Sequence, residues 1–329
     1  MSEFHFTRLT PELILDGIES LDVQVASGLL ALNSYENRVY QFVAEDQRRF
    51  VAKFYRPLRW SDEQILEEHR FSQLLAEDDI QVVAPLTIHG KSLHELDGYR
   101  FALFPSVGGR QFEVDNLDQL ESVGRTIGKM HRRAHTESFA YRPPISIETH
   151  LQAPITTLKT HDIVPPHLHT AFFTIIEQLI ERTTSDYTKA IAQCRSGARL
   201  HGDVHPGNIL WRDGPIFVDF DDCRNGPAIQ DLWMMLSGDR QQQLLQLDIL
   251  VNAYEEFHEL DYKEFHLIEP LRAMRMVHYM AWLALRWQDP AFPTAFPWFG
   301  EDKYWEGQIL ALKEQFAALD EATLSLSPY

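Results

Sequence analysis

Three polar side chains lie at short spacing around two apolar runs of the chain: Asp203, Asn208 and Asp219. Residues 212–215 read Arg-Asp-Gly-Pro, a composition typical of turns, and predict a β-hairpin with a four-residue loop. In such a hairpin Asn208 faces Asp219, with their Cβ atoms roughly 4.5–5.5 Å apart. A carboxamide oxygen and a carboxylate at that separation can share one Mg²⁺, which binds oxygen ligands. The spacing therefore predicts half of a metal site, completed by phosphate and water.

Asp203 precedes this half-site on a loop that contains a proline and a glycine. Such a loop can fold the Asp203 carboxylate over the metal, where it accepts the proton of an attacking hydroxyl. Phosphoryl transfer requires an aligned nucleophile, a metal and cations on the phosphates. We therefore predict phosphoryl transfer to a hydroxyl, with Asp203 and Asp219 as catalytic residues and Asn208 and Asp219 as metal ligands. His205 is interpreted as a loop-positioning residue, and the alternative is a phosphate-facing cation at acidic pH.

The order of these residues resembles the catalytic-loop and metal-aspartate pattern of protein-kinase-like folds. The triplet His201-Gly202-Asp203 is similar to the aminoglycoside phosphotransferase and choline kinase branch of those folds. The resemblance implies ATP as the co-substrate and Mg²⁺ as the cofactor. The alternative interpretation is a polar turn between two core strands, without a catalytic role.

Kinases of this kind place a strand lysine on the phosphates of ATP and orient it with a helical glutamate. Lys53 follows Val-Ala on a predicted strand and fits the first role; the alternative is an edge-strand lysine that discourages aggregation. Two adjacent residues, Glu67 and Glu68, compete for the second role. Glu68 shares a helix face with Phe71 and Leu75, which is the face expected to be buried, so we choose Glu68 as the ATP-site residue.

The loop expected to cover the phosphates departs from the protein-kinase pattern. Residues 32–40 read LNSYENRVY, without Gly-x-Gly-x-x-Gly. The Ser34 hydroxyl and neighbouring backbone N–H groups could hold phosphate oxygens, so Ser34 is our candidate ATP contact. The alternative is an ordinary polar hairpin turn.

The segment after Asp219 also departs from that pattern. It reads Phe220-Asp221-Asp222 in place of Asp-Phe-Gly, and no Ala-Pro-Glu follows. Gly202 also replaces the arginine that binds the loop phosphate in many protein kinases. We hypothesise that activity needs no activation-loop phosphorylation.

Longer segments resemble a family of bacterial stress-response Ser/Thr kinases; the matching stretches are residues 32–40, 104–112, 207–215 and 269–275. This resemblance spans nearly the whole chain. It implies a cytoplasmic protein kinase with a Ser/Thr protein substrate. It also implies Asp203 as the proton acceptor, Asn208 and Asp219 on Mg²⁺, and Ser34 at ATP. The alternatives are a kinase of a small choline-, homoserine- or aminoglycoside-like substrate and a non-catalytic nucleotide-binding regulator.

The elements around these residues predict an α+β, two-lobed, protein-kinase-like fold. Strands with one helix among them fill residues 1–103, the N-lobe. Residues 104–110, rich in glycine and proline, form a hinge. Residues 111–329 form a helical C-lobe with an embedded catalytic hairpin, and helices are predicted at 117–133, 167–182, 241–258 and 271–287.

Composition limits the partners. The net charge of −18 makes nonspecific binding to nucleic acid or to anionic membranes unfavourable. No run of about 18 apolar residues is present, and the two cysteines suit a reducing compartment. We expect a cytoplasmic monomer that binds ATP and a protein substrate, and neither nucleic acid nor membrane.

Overall fold

A computed structural model describes residues 6–32, 34–195 and 197–326, and its first part is built on a five-stranded antiparallel sheet. The strand order is β1-β2-β3-β5-β4, and one helix precedes the sheet while a second follows β3. Asn33, within the predicted phosphate-covering loop, lies outside the described residues. The elements are α1 (Pro11–Glu19), β1 (Leu30–Ala31), β2 (Arg38–Val43), β3 (Arg49–Phe54), α2 (Asp62–Glu77), β4 (His94–Leu96) and β5 (Tyr99–Pro105).

Strand β3 occupies the centre of this sheet, paired with β2 and β5. Lys53 lies opposite Val39 on one side and Ala102 on the other. Helix α2 begins with a capping box: the Ser61 hydroxyl oxygen accepts the Gln64 N–H, and the Gln64 side-chain oxygen accepts the Ser61 N–H.

The remainder is mostly helical, as the sequence predicted, and the fold is α+β. Predicted helices 117–133, 241–258 and 271–287 are confirmed to within three residues at each end. The elements are β6 (Arg110–Gln111), α3 (Leu117–Ala134), α4 (Ala153–His161), α5 (His169–Ile191), β7 (Ala198–Leu200), β8 (Ile209–Trp211), β9 (Pro215–Phe217), β10 (Arg224–Gly226), α6 (Gln230–Trp233), α7 (Arg240–Glu255), α8 (Ile268–Arg286), α9 (Ala291–Ala295) and α10 (Asp302–Ala318). Short 3₁₀ segments cover Pro206–Asn208, Phe220–Asp222, Tyr262–Leu267 and Pro297–Gly300, and Glu148–Gln152 is a π-helical turn.

Helices α3 and α7 pack closely because α3 carries two glycines on the contact face. A Cβ atom on Gly124 would lie 2.6 Å from Leu250 O, and one on Gly128 would lie 2.4 Å from Tyr254 O. Any larger residue would force the helices apart. The packed pair supports the buried core beneath the catalytic loop.

The hairpin formed by β8 and β9 has a different register from the predicted one. Trp211 pairs with Pro215, so the loop has three residues and Asn208 lies opposite Val218, whose N–H donates to Asn208 O at 3.0 Å. The predicted four-residue loop, with Asn208 facing Asp219, is wrong. Asp213 (φ 59°) and Gly214 (φ 148°) both have positive φ, and these conformations close the loop before Pro215.

Predictions for the first lobe were less accurate away from the central strands. Residues 1–103 were expected to contain one helix, and the described part of this range contains two, α1 and α2. Strand β4 was missed because its three residues carry little apolar alternation. No helix in the described ranges combines the length and the apolar character needed to cross a bilayer.

Candidate active site

A cavity of about 760 Å³ lies between the sheet and the helical part. It brings together every site residue that the sequence nominated: Ser34, Lys53, Glu68, Asp203, Asn208 and Asp219.

Lys53 Nζ stands at the centre of a cluster of carboxylates. It lies 3.0 Å from Asp219 Oδ1, 3.2 Å from Asp221 Oδ1 and 3.5 Å from Glu68 Oε1. Burial alone would lower the pKa of Lys53, but the three carboxylates outweigh it and hold the pKa well above its usual value. The amine is therefore charged at neutral pH.

The two adjacent glutamates of helix α2 make different contacts. Glu68 is buried and binds both Lys53 and Arg142, with Arg142 Nη2 3.0 Å from Glu68 Oε2. Burial raises the pKa of Glu68. Glu67 turns away and accepts the backbone N–H groups of residues 140–142. Glu67 thus binds the backbone of that loop and does not contact Lys53.

Asp221 is a residue of this centre that the sequence did not nominate. It is buried, and it binds Lys53, Arg59 and the Asn37 amide. Burial would raise the pKa of Asp221, but Arg59 and Lys53 outweigh it and lower the pKa. Held by these cations, Asp221 anchors Lys53 and is not a free metal ligand. Its position two residues after Asp219 was the only sequence signal.

The carboxylate of Asp203 is held from two sides. Arg275 Nη1 lies 2.6 Å from Oδ1, and His205 Nε2 lies 3.4 Å from Oδ2. Burial would raise the pKa of Asp203, but the His205 contact and the Arg275 charge outweigh it and lower the pKa to about 2. Asp203 is therefore ionised at neutral pH, as a proton acceptor requires. Arg275 lies on α8, and no residue pattern placed its side chain beside Asp203.

Asp231 fixes the start of the catalytic loop. Its carboxylate accepts the N–H groups of His201 (2.9 Å) and Gly202 (2.8 Å) and contacts His131 Nε2 at 2.9 Å. His201 Nε2 in turn contacts Val218 O at 2.9 Å, which ties the loop to the residue that precedes Asp219. Asp231 lies in the first turn of α6, so this short helix is tied to the loop that carries Asp203.

Asn208 and Asp219 suit a divalent cation, although they do not face each other across the hairpin. Asn208 Nδ2 donates to Asp203 O at 3.0 Å, which leaves the carboxamide oxygen as the atom available to a metal. Asp219 adopts a left-handed conformation (φ 60°, ψ 69°), which turns the chain out of the hairpin. Its side chain is 51% exposed and lines the cavity. Two oxygen donors beside open space match an Mg²⁺ that also binds phosphate.

The rest of the cavity divides into an apolar and a polar side. Val39, Val51, Leu210 and Val218 line the apolar side, next to the chain segment after β5, and suit a flat purine ring. Ser34 also lines the cavity, from the loop before β2.

Comparison with known proteins assigns the family. The Phosphotransferase enzyme family (APH) profile matches residues 29–267. The chain belongs to the phosphotransferase enzyme family. This phosphotransferase is 50% identical over 327 residues to "Stress response kinase A" of Escherichia coli (strain K12), covering 99% of this chain and 98% of the relative. It is 50% identical over 325 residues to "Serine/threonine protein kinase RdoA" of Salmonella typhimurium (strain LT2), with the same coverage.

The fold of this phosphotransferase is shared with solved kinases. An amicoumacin kinase in complex with AMP-PNP, Ca²⁺ and Ami superimposes with a TM-score of 0.66 at 19% identity, covering 90% of this chain and 93% of that one. The family, the named relatives and the kinase-like fold identify the chain as a kinase that catalyses ATP-dependent phosphoryl transfer.

Proposed function

We propose that this phosphotransferase is a Ser/Thr protein kinase that transfers the γ-phosphoryl group of ATP to a protein hydroxyl in the bacterial stress response. The observation that carries the proposal is the full-length similarity to relatives named as a stress response kinase and a serine/threonine protein kinase. The pairing of the carboxylates in the cavity also supports it.

The cavity has few free carboxylates that could bind a cationic amine of a substrate. Of the carboxylates that line the cavity in the described ranges, Asp203 and Asp219 have the roles proposed above. The other four are each bound to a lysine or an arginine: Glu36, Glu68, Asp221 and Asp222. A choline- or aminoglycoside-like substrate would need a counter-ion for its positive charge. This arrangement favours an uncharged hydroxyl, such as that of serine or threonine.

The chemistry follows from the positions of the side chains. Asp203 orients the acceptor hydroxyl and accepts its proton as the oxygen–phosphorus bond forms and the bond from the γ-phosphorus to the leaving oxygen of ADP breaks. Lys53, oriented by Glu68, binds phosphate oxygens of ATP. Asn208 and Asp219 would hold Mg²⁺, which neutralises charge on the phosphates when it is bound. Ser34 would donate its hydroxyl to a phosphate oxygen from the covering loop.

The competing proposal is a small-molecule kinase. The amicoumacin kinase shares this fold, and the chain after Asp219 leaves little space for a segment that positions peptides. A ³²P-ATP assay on a casein-type protein and on a panel of amino-alcohol and aminoglycoside metabolites separates the two. The proposal requires label in the protein at serine or threonine; label in a metabolite alone would overturn it.

The proposal also includes the domain boundaries, the localisation and the oligomeric state. Residues 104–110 serve as a hinge between an N-lobe of residues 1–103 and a C-lobe of residues 111–329, and the enzyme acts as a cytoplasmic monomer. In the structure β5 ends at Pro105 and β6 begins at Arg110, so four residues connect the strands of the two parts. Sedimentation velocity with and without Mg²⁺–ATP tests the monomer.

A further inference from the structure

Arg275 lines the cavity beside Asp203, the side chain assigned as the proton acceptor. It projects from α8 into the cavity, is 41% exposed, and places Nη1 2.6 Å from Asp203 Oδ1. The acceptor hydroxyl has to reach the same carboxylate, and the γ-phosphorus has to reach that hydroxyl. A guanidinium has five N–H donors, and this contact with Asp203 uses one of its two Nη groups.

The loop histidine does not provide a cation at this point. His205 Nδ1 accepts the N–H of Gly207 at 3.0 Å. Nδ1 is therefore occupied by the backbone of its own loop, and Nε2 faces Asp203 at 3.4 Å, so neither ring nitrogen is directed at a phosphoryl group.

The other cations that line the cavity in the described ranges are already held by its carboxylate network. Lys53 binds Asp219, Asp221 and Glu68, while Arg59 and Arg224 both bind Asp222. Arg275 is bound instead to the side chain that takes up the acceptor proton.

We propose that Arg275 is a phosphoryl-binding arginine, which donates to the oxygens of the transferred group while it orients Asp203. This inference rests on the proposed role of Asp203 in the proposed function. As the hydroxyl proton passes to Asp203, the new oxygen–phosphorus bond forms and ADP leaves with the electrons of the broken bond. The negative charge on the equatorial oxygens is then offset by Arg275. An arginine supplied by the same chain performs this task in some nucleotide hydrolases.

The test compares binding of Mg²⁺–ADP with binding of Mg²⁺–ADP–aluminium fluoride, which mimics the transferred group. For Arg275→Gln we expect the affinity for the fluoride complex to fall by roughly 10²-fold, with ADP affinity within about threefold of wild type. Arg275→Lys should recover part of the loss. Arg272→Gln is the matched control, because Arg272 lies one turn earlier on α8, pairs with Glu269 and does not line the cavity.

One result would overturn the inference: an Arg275→Gln enzyme with the wild-type ratio of the two affinities, whether both affinities are unchanged or both fall by the same factor. The test also separates this inference from the proposed function. If Asp203→Asn retains turnover, the assignment of the base fails, whereas the ratio of affinities in Arg275→Gln still reports on the arginine.

Discussion

Lys53 Nζ lies 3.0 Å from Asp219 Oδ1, so an ion pair joins the central strand of the sheet to the aspartate that follows the hairpin. Lys53→Met removes the cation shared by three carboxylates. We expect kcat to fall roughly 10²-fold or more and the KM for ATP to rise, because phosphate oxygens lose a fixed positive partner. Steady-state kinetics measure both, and Lys91→Met, at an exposed turn, is the control. Unchanged kinetics in Lys53→Met would contradict its placement at ATP.

Glu36 fastens the phosphate-covering loop to the helical part. Its carboxylate binds Arg56 (3.1 Å), Arg286 (2.6 Å) and the Trp282 indole N–H (2.5 Å). Glu36→Ala should lower the free energy of unfolding by about 3 kcal/mol, because two buried guanidinium groups lose a shared carboxylate. Urea unfolding followed by tryptophan fluorescence measures the change. Glu45→Ala, at an exposed position, should leave the urea midpoint unchanged. A Glu36→Ala midpoint equal to that of this control would show that the Glu36 contacts do not stabilise the fold.

Glu264 does not line the cavity, and it should make the free energy of unfolding depend on pH. It is buried, accepts the Ile229 N–H at 2.8 Å, and burial raises its pKa from 4.5 to about 7. A raised pKa favours the folded state below pH 4.5, and that contribution is lost as pH rises through 7. Between pH 4.5 and pH 8, wild type should lose on the order of 3 kcal/mol relative to Glu264→Gln. Denaturant unfolding at both pH values checks this, with exposed Glu301→Gln as control.

The short segment after Asp219 predicts independence from phosphorylation. A 3₁₀ turn at Phe220–Asp222 leads into β10, and α6 begins at Gln230, which leaves no long loop. Protein treated with phosphatase should therefore retain its full specific activity. Intact-mass measurement before and after treatment verifies that phosphate is absent, and a loss of activity that follows removal of phosphate would show the hypothesis to be wrong.

The parts of the site that could be predicted are those encoded by local spacing. The choice of Glu68 over Glu67 used only the helical period, and the structure places Glu68 beside Lys53. The hairpin was predicted in the right place but one residue out of register. Pairing depends on the φ angles that Asp213 and Gly214 adopt, which residue types alone do not fix.

The contacts that could not be predicted are those made between distant segments. Arg275 lies 72 residues beyond Asp203, and Arg142 lies 74 residues beyond Glu68. Nothing in the local pattern of α8 distinguishes Arg275 from Arg272, since both fit an ordinary amphipathic helix. Only the packing of α8 against the catalytic loop decides which arginine reaches the cavity.

The most direct test of the catalytic assignment is single-turnover transfer of ³²P from Mg²⁺–ATP by Asp203→Asn. The acceptor is the protein or metabolite that the wild-type enzyme labels in the ³²P-ATP assay. Asparagine preserves the shape of the side chain but cannot take up the hydroxyl proton. We predict a fall of roughly 10³-fold in the rate of transfer, with the affinity for Mg²⁺–ADP unchanged. An Asp203→Asn enzyme that transfers phosphate at the wild-type rate would contradict the assignment of Asp203 as the proton acceptor.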